Sequence, residues 1–323
     1  MRLTSLLFQL GVSLLGLVAA YAYLLRLERR AFGGIGASVD TRWGPLWPLL
    51  DVLQALSRRA AVPAIRHRLA YLLGPWIAFL ATLGAIGLLS LQAVIVRGQP
   101  PAWQLAAPWR NLALVLPLPW ISLLGTLLRG WGDGRPYVRS ETQALARQGF
   151  WYSVPTLLAV AGTLLLAGSL DIGQLVARQG EHMPHIVYQP LGSFLFATSL
   201  LIAGQRLPYH LPGCRNRLLS DFQLQHASSA LALCHWAEYL HLFLTGMVFA
   251  VLYLAGWHGL WWDGLHWLLL KALLVAVILL LIRDCWLEEL QRRAGKRLWR
   301  IWALLALGNL LLAGVLLAWR QGL

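Results

Sequence analysis

Long apolar runs separated by polar stretches set the pattern of this chain. Eight of them are candidate bilayer-crossing helices: residues 4–25, 69–96, 111–129, 150–171, 187–205, 229–256, 265–283 and 299–319. About 18 apolar residues suffice for one helical crossing. Runs of this length do not suit the short tilted strands of a transmembrane barrel, and a helix satisfies its own backbone groups in hydrocarbon. The predicted fold is therefore all-α, a polytopic membrane protein of about eight transmembrane helices. The runs 69–96 and 229–256 are long enough to tilt or to extend past the lipid. No repeat of 20–50 residues is evident, so residues 1–323 form one membrane domain. The first run passes straight into Leu27-Glu28-Arg29-Arg30 without a clear small-residue cleavage site. That pattern predicts a retained span rather than a cleaved signal.

Composition supports this reading. The 323 residues are 58% hydrophobic and only 12% charged. Soluble domains average about 25% charged, so too few charges remain to cover a water-facing surface. A soluble enzyme, a disordered chain and a disulfide-built module are all poorly served by these numbers. The three cysteines, Cys214, Cys234 and Cys285, form no CxxC pair. The spacing argues against a zinc or iron–sulfur centre held by this chain alone.

The net charge of +14 is explained by topology rather than by nucleic acid. Loops 26–68, 130–149, 206–228 and 284–298, with Arg129 and Arg283 at their edges, hold 20 of the 27 basic residues. Arg and Lys collect on the cytoplasmic side of a membrane. Both termini are then expected on the non-cytoplasmic side, as an even span count requires. The implied location is a bacterial cytoplasmic (inner) membrane.

Polar residues inside or beside the spans are the candidate chemistry. In the first basic loop, residues 46–59 predict an interfacial helix. Leu49, Leu50, Leu53 and Leu56 share one face, opposite Asp51, Gln54, Arg58 and Arg59. Such a helix suits a membrane surface or another subunit equally. The glycines at 33, 34, 36 and 44 do not form a dinucleotide fingerprint. The sixth span carries Cys234-His235-Trp236-Ala237-Glu238-Tyr239-Leu240-His241. Glu238 is a costly residue in hydrocarbon and is expected to face protein or trapped water. With His235 it is a candidate proton relay; a structural polar contact and metal or haem ligation are the competing readings. Lys271, early in the seventh span, either snorkels to the outer face or lines a channel. Pro155 in the fourth span predicts a kink near its entry.

Three stretches carry a family resemblance. Glu28-Arg29-Arg30, followed by Arg42-Trp43-Gly44-Pro45 and Leu49-Leu50-Asp51, is the first. Ala144-Leu145-Ala146-Arg147-Gln148 through Trp151-Tyr152-Ser153-Val154-Pro155 is the second. Arg206-Leu207-Pro208-Tyr209-His210-Leu211-Pro212, running without a gap to Ala237-Glu238-Tyr239, is the third. They resemble the membrane-subunit family that joins the quinone end of respiratory complex I to its membrane arm. Membrane subunits of energy-converting nickel–iron hydrogenases are related. The resemblance spans roughly residues 20–285.

The resemblance implies a docking and coupling subunit beside a quinone site. Its implied partners are hydrophilic iron–sulfur redox subunits, other membrane-arm subunits and lipid, with no nucleic acid. No cofactor is implied for this chain alone, and a quinone would be bound only at a shared site. The implied cavity or partner-interface residues are Glu28, Arg29, Arg30, Arg42, Asp51, Arg147, Arg206, His210, Arg215 and Arg217. The loop chemistry departs from the family. His210 stands where the family has Asp, and Gly213, Arg215, Arg217 and Gln225 stand where it has acids. Glu238 survives, so it is the acid the resemblance assigns to proton exchange. A basic loop of this kind favours acidic or anionic partners. A hydrogenase membrane subunit and an unrelated secondary transporter are the alternative functions.

Overall fold

A computed structural model describes residues 66–95, 111–133, 136–181, 183–203, 229–259, 263–282 and 298–322. The predicted first span, the interfacial helix at 46–59 and the basic loop 206–228 lie outside the described residues. Ten helices are described: α1 Arg68–Ile95, α2 Leu112–Val115, α3 Leu118–Gly132, α4 Pro136–Ala167, α5 Ile172–Glu181, α6 His185–Tyr188, α7 Pro190–Ala203, α8 Ser229–Tyr253, α9 Leu265–Ile282 and α10 Leu298–Gly322. No strand is present among the described residues, only one isolated antiparallel bridge between Asn111 and Asp171.

Five stretches are long and apolar enough to cross a membrane: Arg68–Ala93, Leu112–Gly132, Val138–Ala167, Trp236–Tyr253 and Trp299–Ala318. Pro190–Leu200 and Leu265–Leu281 are shorter apolar helices. Two sequence expectations change. The basic loop predicted over 130–149 is helical from Pro136 onward, so α4 begins well before its apolar portion. Arg139 and Arg147 lie in that polar first half and are exposed, which lets the helix extend beyond the apolar layer. The segment after α4, expected to be plain loop, contains α5 and α6. Asp171 starts α5 by accepting hydrogen bonds from the backbone N–H of Gly173 (2.7 Å) and Gln174 (3.3 Å). An acidic N-cap satisfies donors that have no partner within the helix.

The described helices run alternately between two ends of the bundle. Arg66 and His67 donate to the carbonyl of Gly132, which joins the start of α1 to the end of α3. Trp151 of α4 stacks on Trp299 of α10 with ring centroids 4.1 Å apart, at the same end. The opposite end gathers the residues around Asn111, Gly168–Asp171, Gln179–His185 and Leu254–Gly264. Leu112 there donates to Leu170.

The closest helix crossing is that of α1 on α3. A Cβ built on Gly74 would lie 2.5 Å from the Gly125 carbonyl oxygen. One built on Gly125 would lie 2.6 Å from the Ala78 nitrogen, and one on Gly132 would lie 2.5 Å from the Tyr71 nitrogen. Small residues therefore recur at 74 and 78 on α1 and at 122, 125 and 132 on α3. Dispersion between closely approaching backbones drives such packing in lipid, where the hydrophobic effect supplies little. The hydroxyl oxygens of Thr82 and Ser122, 2.9 Å apart, extend the same seam.

Helix α8 occupies the centre, touching α1, α5, α7 and α9. Every residue from Leu242 to Tyr253 is buried. Its second half is apolar all round, as a helix enclosed by others must be.

Candidate functional site

The family-like acid sits on the first half of this central helix. Glu238 and His241 are half-buried, between the buried residues Ala237, Tyr239, Leu240 and Leu242. Residues three apart share a helix face, so the carboxyl and the imidazole lie one turn apart. Thr245 continues the stripe, its hydroxyl donating to the His241 carbonyl at 2.9 Å. Glu238, Tyr239 and His241 each have an interaction partner. Trp236 turns toward α1, where its ring lies 6.0 Å from that of Phe79. A carboxyl and an imidazole at this spacing are chemically able to take up and release a proton. The His235 side chain lies outside the described residues.

Arg147 lies on α4 and is exposed, on a helix rather than in the loop predicted for it. The stretch from Ala144 to Pro155 is one continuous helical segment with Pro155 buried inside it. Around Pro155, the Ser153 hydroxyl donates to the Phe150 carbonyl and the Thr156 hydroxyl to the Tyr152 carbonyl. Side-chain hydroxyls are a common accompaniment of proline inside membrane helices. Tyr152 is buried, and a Cβ on Gly149 would meet the Leu123 side chain at 2.6 Å. The motif thus ties α4 to α3 at the basic end of the bundle. Glu28, Arg29, Arg30, Arg42, Asp51, Arg206, His210, Arg215 and Arg217 lie outside the described residues.

The other end of α8 holds a polar cluster that sequence reading missed. The helix stops after Tyr253, and the chain turns through Ala255 (φ 56°) and Gly256 (φ 48°). The last carbonyls of a helix have no partner within it. Here side chains from three other elements serve them. The buried Gln179 of α5 donates to the Val251 carbonyl at 2.9 Å and accepts from the Ala255 N–H at 3.0 Å. His185 Nδ1 lies 3.1 Å from the Leu252 carbonyl. Lys271 Nζ donates to the carbonyls of Leu254 (2.7 Å), Gly256 (3.1 Å) and His258 (2.6 Å).

An ammonium at a helix C-terminus also complements the helix dipole. Lys271 is therefore a cap on the central helix, and the geometry gives it a structural occupation in place of a channel-lining one. Asp263 closes the adjoining loop, accepting from the Gly259 N–H at 3.0 Å and approaching His258 Nδ1 at 2.9 Å. Nothing in the local sequence of Gln179 announces this contact, because its partners lie 72 and 76 residues away. Among the described residues no group of three or more His, Cys, Asp or Glu side chains converges.

An all-helical bundle with several membrane-crossing helices and a polar stripe on its central helix defines an integral membrane protein of the polytopic class. Its sequence places it further. The chain belongs to the NADH dehydrogenase family, whose model matches residues 8–314. A relative from Geobacillus kaustophilus (strain HTA426), an H-type membrane chain of NADH-quinone oxidoreductase, is 27% identical over 325 residues, covering 98% of this chain and 95% of the relative. The protein of the same name from Anoxybacillus flavithermus (strain DSM 21510 / WK1) is 29% identical over 259 residues, 78% of this chain and 75% of its own. The first of the H-type proteins of NADH-quinone oxidoreductase in Geobacter metallireducens (strain ATCC 53774 / DSM 7210 / GS-15) is 28% identical over 305 residues, 93% and 92% of the two chains. The resemblance read from the three sequence stretches is thus shown at the level of the family: this is a membrane subunit of the complex I type.

Proposed function

We propose that this chain is the docking and coupling subunit of a complex I-like respiratory oxidoreductase. It connects a hydrophilic redox module to the membrane arm beside a quinone site. The observation that carries the proposal is the end-to-end match to H-type proteins of NADH-quinone oxidoreductase, together with the surviving acid on the central helix. Eight spans with both termini on the non-cytoplasmic side of a bacterial inner membrane complete the reading. The distribution of Arg and Lys supports that orientation.

In this reading the basic loops receive the redox module and its iron–sulfur subunits. Arg29, Arg30, Arg42, Arg147, Arg206, Arg215 and Arg217 supply positive charge, with Glu28, Asp51 and His210 among them. Glu238, with His235, carries proton exchange. A quinone, when bound, supplies the electron-accepting chemistry at a site shared with the partner. No step through it is assigned to the described residues.

Inverted membrane vesicles test the proposal, with proton uptake and quinone reduction measured together. Glu238→Gln is expected to cut protons moved per quinone reduced at least several-fold while the complex still assembles. Equal loss of assembly and of quinone reduction makes Glu238 a structural residue and removes its coupling role.

A further inference from the structure

A cavity of about 600 Å³ opens between α1, α3 and α4 at the basic end of the bundle, away from α8. Its wall is apolar: Ile121, Leu124 and Leu128 descend one face of α3 toward Trp131. At the level of Trp131 the lining becomes polar, with Arg139 and Gln143 from the first turns of α4. Leu124 is 60% exposed and Trp131 62% exposed, so the wall faces outward from the described helices. Arg139 is exposed and has no ion-pair partner among the described residues.

Three features of this groove select its occupant. From Ile121 to Trp131 the helix rises about 15 Å, half of a hydrocarbon core of about 30 Å. An apolar wall of that height fits the acyl chains of one leaflet. Trp131 stands one residue before the end of α3, where an aromatic ring marks the boundary between hydrocarbon and headgroups. Arg139 lies at that boundary and presents an unneutralised guanidinium, which matches a phosphate geometrically and electrically. We infer that this groove is a binding site for an anionic phospholipid. Its acyl chains lie along Ile121, Leu124 and Leu128, and its phosphate meets Arg139 and Gln143. Basic pockets between transmembrane helices bind anionic headgroups by this combination.

The test uses the full tagged chain, with whatever subunits it retains, in phosphatidylcholine nanodiscs. Brominated phosphatidylglycerol or brominated phosphatidylcholine is titrated in, and fluorescence quenching is recorded. Subtracting the signal of Trp131→Phe isolates Trp131. One basic residue at the membrane surface favours an anionic lipid by about fivefold, so phosphatidylglycerol is expected to quench Trp131 at about one-fifth the mole fraction of phosphatidylcholine. Arg139→Gln is expected to bring the two lipids to parity. Arg300→Gln removes the same charge from α10 and is expected to leave the preference intact.

Circular dichroism confirms that each variant retains its helix content. Equal quenching by both lipids in the unaltered protein reduces the groove to ordinary lipid contact and overturns the inference. Quenching by neither lipid means that a protein segment or a quinone fills the groove, and overturns it as well. Equal loss in both arginine variants assigns the preference to the net positive field rather than to this site, which also overturns it.

Discussion

Gly125→Ala isolates what holds α1 to α3. The added methyl starts 2.6 Å from both the Ala78 nitrogen and the Gly74 carbonyl oxygen. These are backbone atoms, which no rotamer change moves aside. Ordinary contact begins near about 3.5 Å, so the helices must separate by about 1 Å along the seam. A gap of that size forfeits about a quarter to a half of each contact's dispersion energy, and overpacking of this kind costs about 1–3 kcal/mol. Alanine in place of glycine returns up to about 1 kcal/mol of helix propensity.

Gly84→Ala on α1 gains the same propensity and meets nothing within 4 Å among the described residues. The two variants are therefore expected to differ by about 2–3 kcal/mol, with Gly125→Ala the less stable. Thermal unfolding of the full chain in one mild detergent, followed by circular dichroism, reads this as a Tm difference of roughly 5–10 °C. Equal Tm values for the two variants would refute the claim that backbone approach at Gly74 and Gly125 sets the α1–α3 distance.

Lys271→Met removes three hydrogen bonds from the carbonyls that follow α8 and is expected to cost about 3 kcal/mol, since unpaired carbonyls in a bundle are expensive; the Tm of the same preparation checks it. Gln179→Leu leaves the Val251 carbonyl and the Ala255 N–H unserved and is expected to cost about 2–4 kcal/mol. The Lys271→Met, Gln179→Leu double variant is expected to fall short of the sum, because both side chains hold one helix end. Trp302→Phe deletes the 2.9 Å hydrogen bond from the indole N–H to the Thr198 hydroxyl. Its expected cost is about 1 kcal/mol, read as a small Tm decrease, because the Thr198 hydroxyl keeps its 2.7 Å bond to the Phe194 carbonyl.

The sequence disclosed the helical character because each apolar run must satisfy its backbone internally. It also disclosed Glu238, because one acid in a long apolar run is conspicuous. Helix α4 ran longer than expected for a simple reason. Residues 136–149 are largely polar, and hydropathy finds only the part of a helix that lies in lipid. The α1–α3 seam was illegible, because glycines at 74 and 125 acquire meaning only when the partner backbone is known. Lys271 was ambiguous in sequence, since a lysine near a span end fits snorkelling as readily as capping. Its three carbonyl partners come from Leu254, Gly256 and His258, a turn whose shape depends on Ala255 and Gly256 taking positive φ. Gln179 was invisible for the same reason: a glutamine on a short polar helix gives no hint of a helix end some 70 residues away.

The most direct test of the central claim is capture of the tagged chain from its native membrane in mild detergent, with mass spectrometry of its partners and a quinone-reduction assay on the same fraction. The account predicts hydrophilic iron–sulfur subunits, further membrane-arm subunits and NADH-dependent quinone reduction in one preparation. Recovery of the chain with a nickel–iron catalytic subunit, or alone while other complexes survive intact, would contradict it.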